Sequence, residues 1–158
     1  MLDNGPDRRI GALVVTHSQK AIDLASEFEG CKLEAYKDLG GVWTIGYGHT
    51  GPEVCEGLKI TQDRALQLLS DDMLHADAVV NKMVSVRVNQ NQFDALVDFV
   101  FNVGSGNFAQ SSLLKFLNIG QSLLAAKEFE RWDKVKGKDI PGLLRRRLAE
   151  RDLFLEAA

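Results

Sequence analysis

The chain predicts an α+β fold that is predominantly helical, with a small antiparallel sheet lobe and a helical lobe joined by a long helix. Three observations carry this expectation. Residues 33 to 58 hold turn chemistry and an alternating strand pattern. Residues 61 to 83 hold one apolar stripe at helical spacing. The remainder repeats helical spacing in shorter pieces.

The elements follow in order. Ser18 has N-cap chemistry, and Ala21, Leu24, Ala25 and Phe28 follow at helical spacing until Gly30 stops the helix. Lys37 to Gly41 reads as a turn, with glycine for positive φ and Asp38 for local hydrogen bonds. Val42 to Tyr47 alternates like a strand, and Gly46, Gly48 and Gly51 suggest sharp bends or close backbone approach. A sheet of two or three strands fits this region. Thr61 opens the long helix, with Ala65, Leu69, Met73, Ala76, Val80 and Met83 along one face for about five turns. Phe93, Leu96, Val97, Val100 and Phe101 define another helix, ended by a loop from Val103 to Asn107. Ser111 or Ser112 caps a short helix, and Ser122 opens one ending near Trp132. Lys134 to Asp139 reads as a polar loop. Pro141 then starts a final helix whose apolar positions are Leu144, Leu148, Phe154 and Leu155.

This order implies a flexible N-terminal arm over residues 1–17 and one domain over 18–158. The sheet lobe takes 18–60, the connecting helix 61–83 and the helical lobe 84–158. A chain of 158 residues can bury a core for one such domain. Apolar content of 45% and charged content of 26% are ordinary for a soluble protein, which argues against disorder. Ile10 to Val15 after Arg8 and Arg9 faintly resembles the start of an export segment, but it is far shorter than a membrane span. No stable membrane insertion is expected, and with no unexplained apolar stripe the chain reads as a monomer.

The net charge of −3 hides an asymmetry. Residues 127 to 151 hold nine Lys or Arg against five acids, a surplus of four that leaves about −7 elsewhere. Such a basic end suggests attraction to a polyanion, either nucleic acid or a negatively charged cell wall. The aromatic interleaving of a nucleic-acid platform is missing, so nucleic acid is not expected as a partner. Cys31 and Cys55 lack metal-ligand spacing and read equally as one disulfide or two thiols. His17, His49 and His75 also lack it, so neither metal nor other cofactor is expected. Neither a Ser-His-Asp arrangement nor a phosphate-binding glycine loop is visible.

The chemistry lies in residues 29 to 49. Glu29, Asp38 and Thr44 supply two carboxyl groups and a hydroxyl, separated by turn residues and a strand. Glycoside hydrolysis needs such a set: one carboxylic acid protonates the leaving oxygen, and other groups position a water on the opposite face of the sugar. Glu29 falls at a helix C-terminus, whose partial negative charge disfavours an ionised carboxylate. Burial acts in the same direction.

Glu29, eight residues, Asp38, five residues, Thr44: in residue type and spacing this resembles the phage-type lysozyme (endolysin) family of glycoside hydrolases, which includes the T-even and lambdoid phage muramidases. The similarity includes Ala35-Tyr36-Lys37-Asp38 and Thr44-Ile45-Gly46-Tyr47-Gly48-His49-Thr50. It continues through Asn91 to Val97, Phe101 to Phe108, Arg131-Trp132, Pro141-Gly142-Leu143 and the arginines 145 to 147. It spans roughly residues 18 to 156. The resemblance implies a lysozyme-like fold of two lobes on a long helix. It implies hydrolysis of the β-1,4 bond between N-acetylmuramic acid and N-acetylglucosamine in peptidoglycan, lysing the bacterial host. Glu29 would be the general acid, with Asp38 and Thr44 orienting water or supporting the reacting sugar. Phe101, Asn102, Ser112 and Tyr47 would contact substrate. His49 would pair structurally with Asp72, and one arginine of the cluster, with Arg146 the candidate, would face Glu29. Such an arginine lowers a carboxylate pKa, opposing the helix-end effect. The enzyme would be made in the host cytoplasm and reach the wall in the periplasm after membrane disruption. A lytic transglycosylase or a non-catalytic wall-binding module are the alternatives; the second carboxylate argues against the first and the preserved acid against the second.

Overall fold

The computed structural model describes residues 14–157. Helix α1 (Gln19–Phe28) leads into an antiparallel sheet of β1 (Lys32–Lys37), β2 (Trp43–Gly46) and β3 (His49–Thr50), in that spatial order. The connecting helix α2 (Gln62–Met83) follows, then α3 (Gln90–Val103), α4 (Ser105–Gln110), α5 (Ser112–Asn118) and α6 (Ser122–Glu128). A 3-10 turn at Phe129–Arg131 leads to a hairpin of β4 (Lys134–Val135) and β5 (Lys138–Asp139), and α7 (Pro141–Leu155) ends the fold. No helix of the described residues is long and apolar enough to cross a membrane.

The helix starts are chemically specified. The Ser18 hydroxyl accepts from the Lys20 N–H, the Thr61 hydroxyl from Arg64, and Ser111 from Leu114. Asn89 and Gln92 form a reciprocal capping box on α3. Two loops expected from the sequence are regular. Gly104, with φ of 92°, ends α3, yet α4 begins at the next residue. Lys134 to Asp139 closes into a hairpin through Lys136 and Gly137, both at positive φ. A two-residue turn between two-residue strands is too short for periodicity to reveal.

Two cores flank α2. The small one joins Ile45 and Val54 of the sheet region to Leu68 of α2. The large one surrounds α3, with Phe93, Leu96, Val97, Phe99 and Val100 buried against Leu69, Met73, Ala76 and Val80 of α2. Phe99 meets Phe108, Phe129 and Trp132 edge-on, at ring separations of 6.2, 5.4 and 5.8 Å. Such edge-to-face contacts add about 0.5–1.5 kcal/mol each beyond burial. Because α2 contributes to both cores, it couples the sheet to the helical bundle.

The arm expected over residues 1–17 lies mostly outside the described residues, but its end is bound rather than free. Val15 exchanges hydrogen bonds with Asn81, and the Thr16 carbonyl accepts from Gln90. The His17 ring lies between Asp77 (2.9 Å) and Ser70 (2.8 Å), and Ser18 bonds to Asp94. This Ser-His-Asp contact was invisible in the sequence because His17 and Ser70 are far apart along the chain. The imidazole is 3% exposed, so the trio acts as a clasp between the segment entering α1 and the connecting helix.

Gly46 has φ of 64° and is buried against Ala65 of α2 and Ile60 just before that helix. A β-branched residue in this left-handed region is strained. Gly46→Val is expected to lose about 1–3 kcal/mol of stability. Thermal unfolding followed by circular dichroism checks it, and an unchanged Tm would contradict the strain.

Candidate active site

Three helices converge on Glu29. Helix α1 ends there because Glu29 turns to extended backbone (φ −92°, ψ 134°) while its N–H still bonds the Ala25 carbonyl. Its side chain is 30% exposed, and Oε1 accepts from Arg146 Nη1 at 2.7 Å. Arg146 belongs to α7 and is buried. Its Nε and Nη2 donate to both oxygens of Asp98 on α3, at 2.9 and 2.7 Å. This is the planar two-point match between guanidinium and carboxylate. Burial alone would weaken the charge on Arg146, but Asp98 and then Glu29 overcome it, so its pKa moves further above the usual arginine range. Arg146 is therefore a permanent cation aimed at the acid. Among the described residues no hydrogen bond is made to Glu29 Oε2, and the side chain keeps part of its surface exposed.

Asp38 and Thr44 belong to the β1–β2 hairpin. Asp38 Oδ1 accepts from the N–H groups of Gly40 and Val42, both at 2.9 Å. The Thr44 hydroxyl donates to the carbonyl of the same Val42, also at 2.9 Å. Val42 thus ties the two side chains into one rigid turn. Thr44 is 4% exposed and pairs with Tyr36 and Thr50 across the sheet, whereas Asp38 is exposed. The donor of Thr44 is used, and its oxygen lone pairs remain available to accept from water.

The other expected positions separate. Asn102, at the end of α3, lines a cavity of about 300 Å³ with Asn107, Trp132, Lys134, Leu143 and Arg147. Phe101 is half-buried and packs on the large core, and Ser112 is exposed at the start of α5. Neither lines that cavity. Tyr47 departs from the sugar-contact expectation. It is buried in the large core, and its hydroxyl accepts from Gln62 at 2.7 Å. His49 lies 2.9 Å from Asp72 on α2 and 2.6 Å from Glu53. Partial burial opposes its charge, but the hydrogen bonds to Glu53 and Asp72 outweigh that and raise its pKa.

Sequence reading missed Asp98 and Glu150, the buried partners of Arg146 and Arg147. One signal was present: Asp98 interrupts the apolar run Leu96-Val97-Asp98-Phe99-Val100, where an acid demands a partner. Within the basic end, only Arg146 takes both its partners, Asp98 and Glu29, from outside residues 127 to 151. Arg146 and Arg147 are internal, and Arg131, Lys134 and Arg151 pair with neighbouring acids. Cys31 and Cys55 are free thiols, the first half-buried near Gln62 and the second exposed. Among the described residues no group of three His, Cys, Asp or Glu is placed to hold a metal ion.

Comparison with known proteins agrees with this architecture. Residues 26–150 match the phage lysozyme family model. An endolysin of Bacillus phage PZA is 49% identical over 139 residues, which are 87% of this chain and 54% of that protein. The chain thus spans about half the length of that relative. A crystal structure of a P22 lysozyme mutant superposes with a TM-score of 0.84 at 39% identity, covering 90% of this chain and 99% of that one. The muramidase domain of SpmX from Asticaccaulis excentricus gives a TM-score of 0.81 at 38% identity, covering 89% and 97%.

The raised pKa of His49 has a defined sign in stability. Its contribution is fully present below the unfolded histidine value near ~6.5 and is lost as pH rises through the folded value. His49→Gln should therefore lower Tm more at about pH 6 than at about pH 9. An equal loss at both pH values, measured by calorimetry, would show that the imidazole acts without its charge.

Proposed function

The chain belongs to the phage lysozyme family, and from that premise we propose that it is an endolysin: a muramidase that hydrolyses the β-1,4 bond between N-acetylmuramic acid and N-acetylglucosamine in peptidoglycan. The observation that carries this reading is the Glu29 carboxyl, with one oxygen held by Arg146 and the other open. Glu29 acts as general acid through the open oxygen and protonates the glycosidic oxygen as the bond breaks. The anomeric carbon gains positive charge in the transition state. Asp38, an exposed carboxylate fixed by two backbone N–H groups, lies on the sheet side to orient a water and accept its proton. Thr44 accepts a hydrogen bond from the same water. Attack from the face opposite the leaving group inverts the anomeric carbon, which suits carboxylates about 6.5–9.5 Å apart.

The cavity beside Asn102, Asn107 and Trp132 offers amide groups and an indole to the polymer, a suitable lining for N-acetyl sugars and their peptides. The enzyme acts as a monomer on the host cell wall. It is made in the host cytoplasm and reaches its substrate in the periplasm once the membrane is disrupted.

Purified peptidoglycan separates the outcomes. Wild type should release fragments with reducing muramic-acid ends, and Glu29→Gln should lose about 10²–10⁴-fold in rate while remaining folded. Anhydro ends would identify a transglycosylase instead, and a fully active Glu29→Gln would remove the acid assignment.

Asp38 needs a subtler change, because its Oδ1 also holds the turn. Asp38→Asn keeps an oxygen for the two N–H groups and removes the base. The expected result is unchanged Tm with most activity lost; retained activity would move water activation to another group.

A further inference from the structure

The register of the three-stranded sheet sorts its side chains onto two faces. Lys37 pairs with Trp43, and Ile45 pairs with His49. Residues directly opposite in an antiparallel pair project to the same face. That face is covered by α2. Ile45 enters the small core with Leu68, Trp43 packs on the same core, and His49 bonds Asp72. The Lys37 ammonium lies 5.3 Å from the centre of the Trp43 ring, as the register requires. The alternate residues Tyr36, Thr44 and Thr50 pair across the three strands and occupy the opposite face. The backbone bond from the Asp38 N–H to the Val42 carbonyl carries the register two residues further, so Asp38 and Val42 join that face.

Asp38 and Thr44 therefore share one face with three further side chains. Tyr36 stands across from Thr44 and two residues before Asp38, at backbone spacings of about 5 and about 7 Å. It belongs to neither core, and it is 37% exposed. Val42 is 49% exposed, and Thr50 is exposed on the other side of Thr44. Among the described residues no group hydrogen-bonds to the hydroxyl of Tyr36 or Thr50. The tyrosine that the motif offered for sugar contact, Tyr47, fills the core instead, and Tyr36 presents its ring outside.

We propose that this strip is the saccharide-contacting floor of the sheet side: Tyr36 stacks its ring on the pyranose held beside Asp38 and Thr44, and Thr50 hydrogen-bonds the acetamido group of that sugar. The face of a pyranose chair presents C–H groups, an apolar surface that an aromatic ring can cover while its hydroxyl stays wet. The hydroxyls of Tyr36 and Thr50 both donate and accept, as the sugar hydroxyls and acetamido group require. Val42 is an apolar neighbour for the acetamido methyl. Asp38 is the only charged member of the strip, which suits a neutral glycan better than a polyanion. A sugar held in this way keeps its anomeric carbon in line with the water that Asp38 orients.

This inference rests on the muramidase reading, so its test has one arm that needs no bond cleavage and no change at Tyr36. The chain has two tyrosines, and Tyr47 is buried with its hydroxyl bonded to Gln62. Tetranitromethane should therefore nitrate Tyr36, read by mass spectrometry of the peptide that contains it. Soluble glycan strands freed of peptide should protect Tyr36 from nitration in Glu29→Gln. The second arm follows kcat and KM on peptidoglycan. Tyr36→Ala should raise KM about tenfold with a smaller change in kcat and an unchanged Tm, and Tyr36→Phe should restore most of the loss. Thr50→Val should raise KM about threefold. Nitration that glycan does not slow, or a wild-type KM in Tyr36→Ala, would overturn the proposal and leave the muramidase reading standing. An unchanged KM in Thr50→Val would remove Thr50 from the strip. Protection of Tyr36 by glycan, with no reducing ends released by wild type, would keep the strip and strike the muramidase reading.

Discussion

A guanidinium buried in protein must be surrounded by anions, and the Arg146 side chain meets that demand from two sides. Asp98 takes two of its N–H groups and Glu29 a third. Removing Asp98, which is fully buried, would break this buried pair and cost several kcal/mol, on the order of 3–5. The end of α1, the middle of α3 and the start of α7 are therefore held in one relation. The site inherits that rigidity: Glu29 is oriented by groups about 70 and 117 residues away along the chain.

The sheet side is built on a different principle. Its candidate groups are oriented by local backbone hydrogen bonds, with Asp38 and Thr44 both anchored to Val42. The hairpin's geometry is set by its own backbone, and α2 packs it against the helical bundle. That helix packs Leu68 into the small core and Leu69 into the large one, so successive residues serve the two lobes. The clasp of His17, Ser70 and Asp77 fixes the entry to α1 on the same helix. Glu29 and the Asp38–Thr44 hairpin thus sit on units related through α2.

The apolar stripes of α2 and α3 were legible because their buried faces are hydrophobic. Helix α7 shows where this reading fails. Leu144 and Leu148 are only half-buried and Leu155 is exposed, while Arg146, Arg147 and Glu150 are buried. A helix whose inner face is charged has no apolar period to detect. The cation surplus at this end does not say which cations are internal: Arg146 and Arg147 are buried, and Arg146 meets acids from outside the segment. Tyr47 is the converse case, an aromatic beside the motif whose ring fills the core rather than the cleft.

By itself the sequence determined the α+β class, the order of the major elements, the capping residues and the spacing of Glu29, Asp38 and Thr44. These are local properties, set by side-chain periodicity, turn chemistry and caps within a few residues. The choice of Arg146 over its neighbours, its partner Asp98, the Arg147–Glu150 ion pair, the burial of Tyr47 and the hairpin at Lys134–Asp139 were decided by tertiary structure. Each depends on which groups meet across the fold and on what burial does to charges that water would otherwise screen.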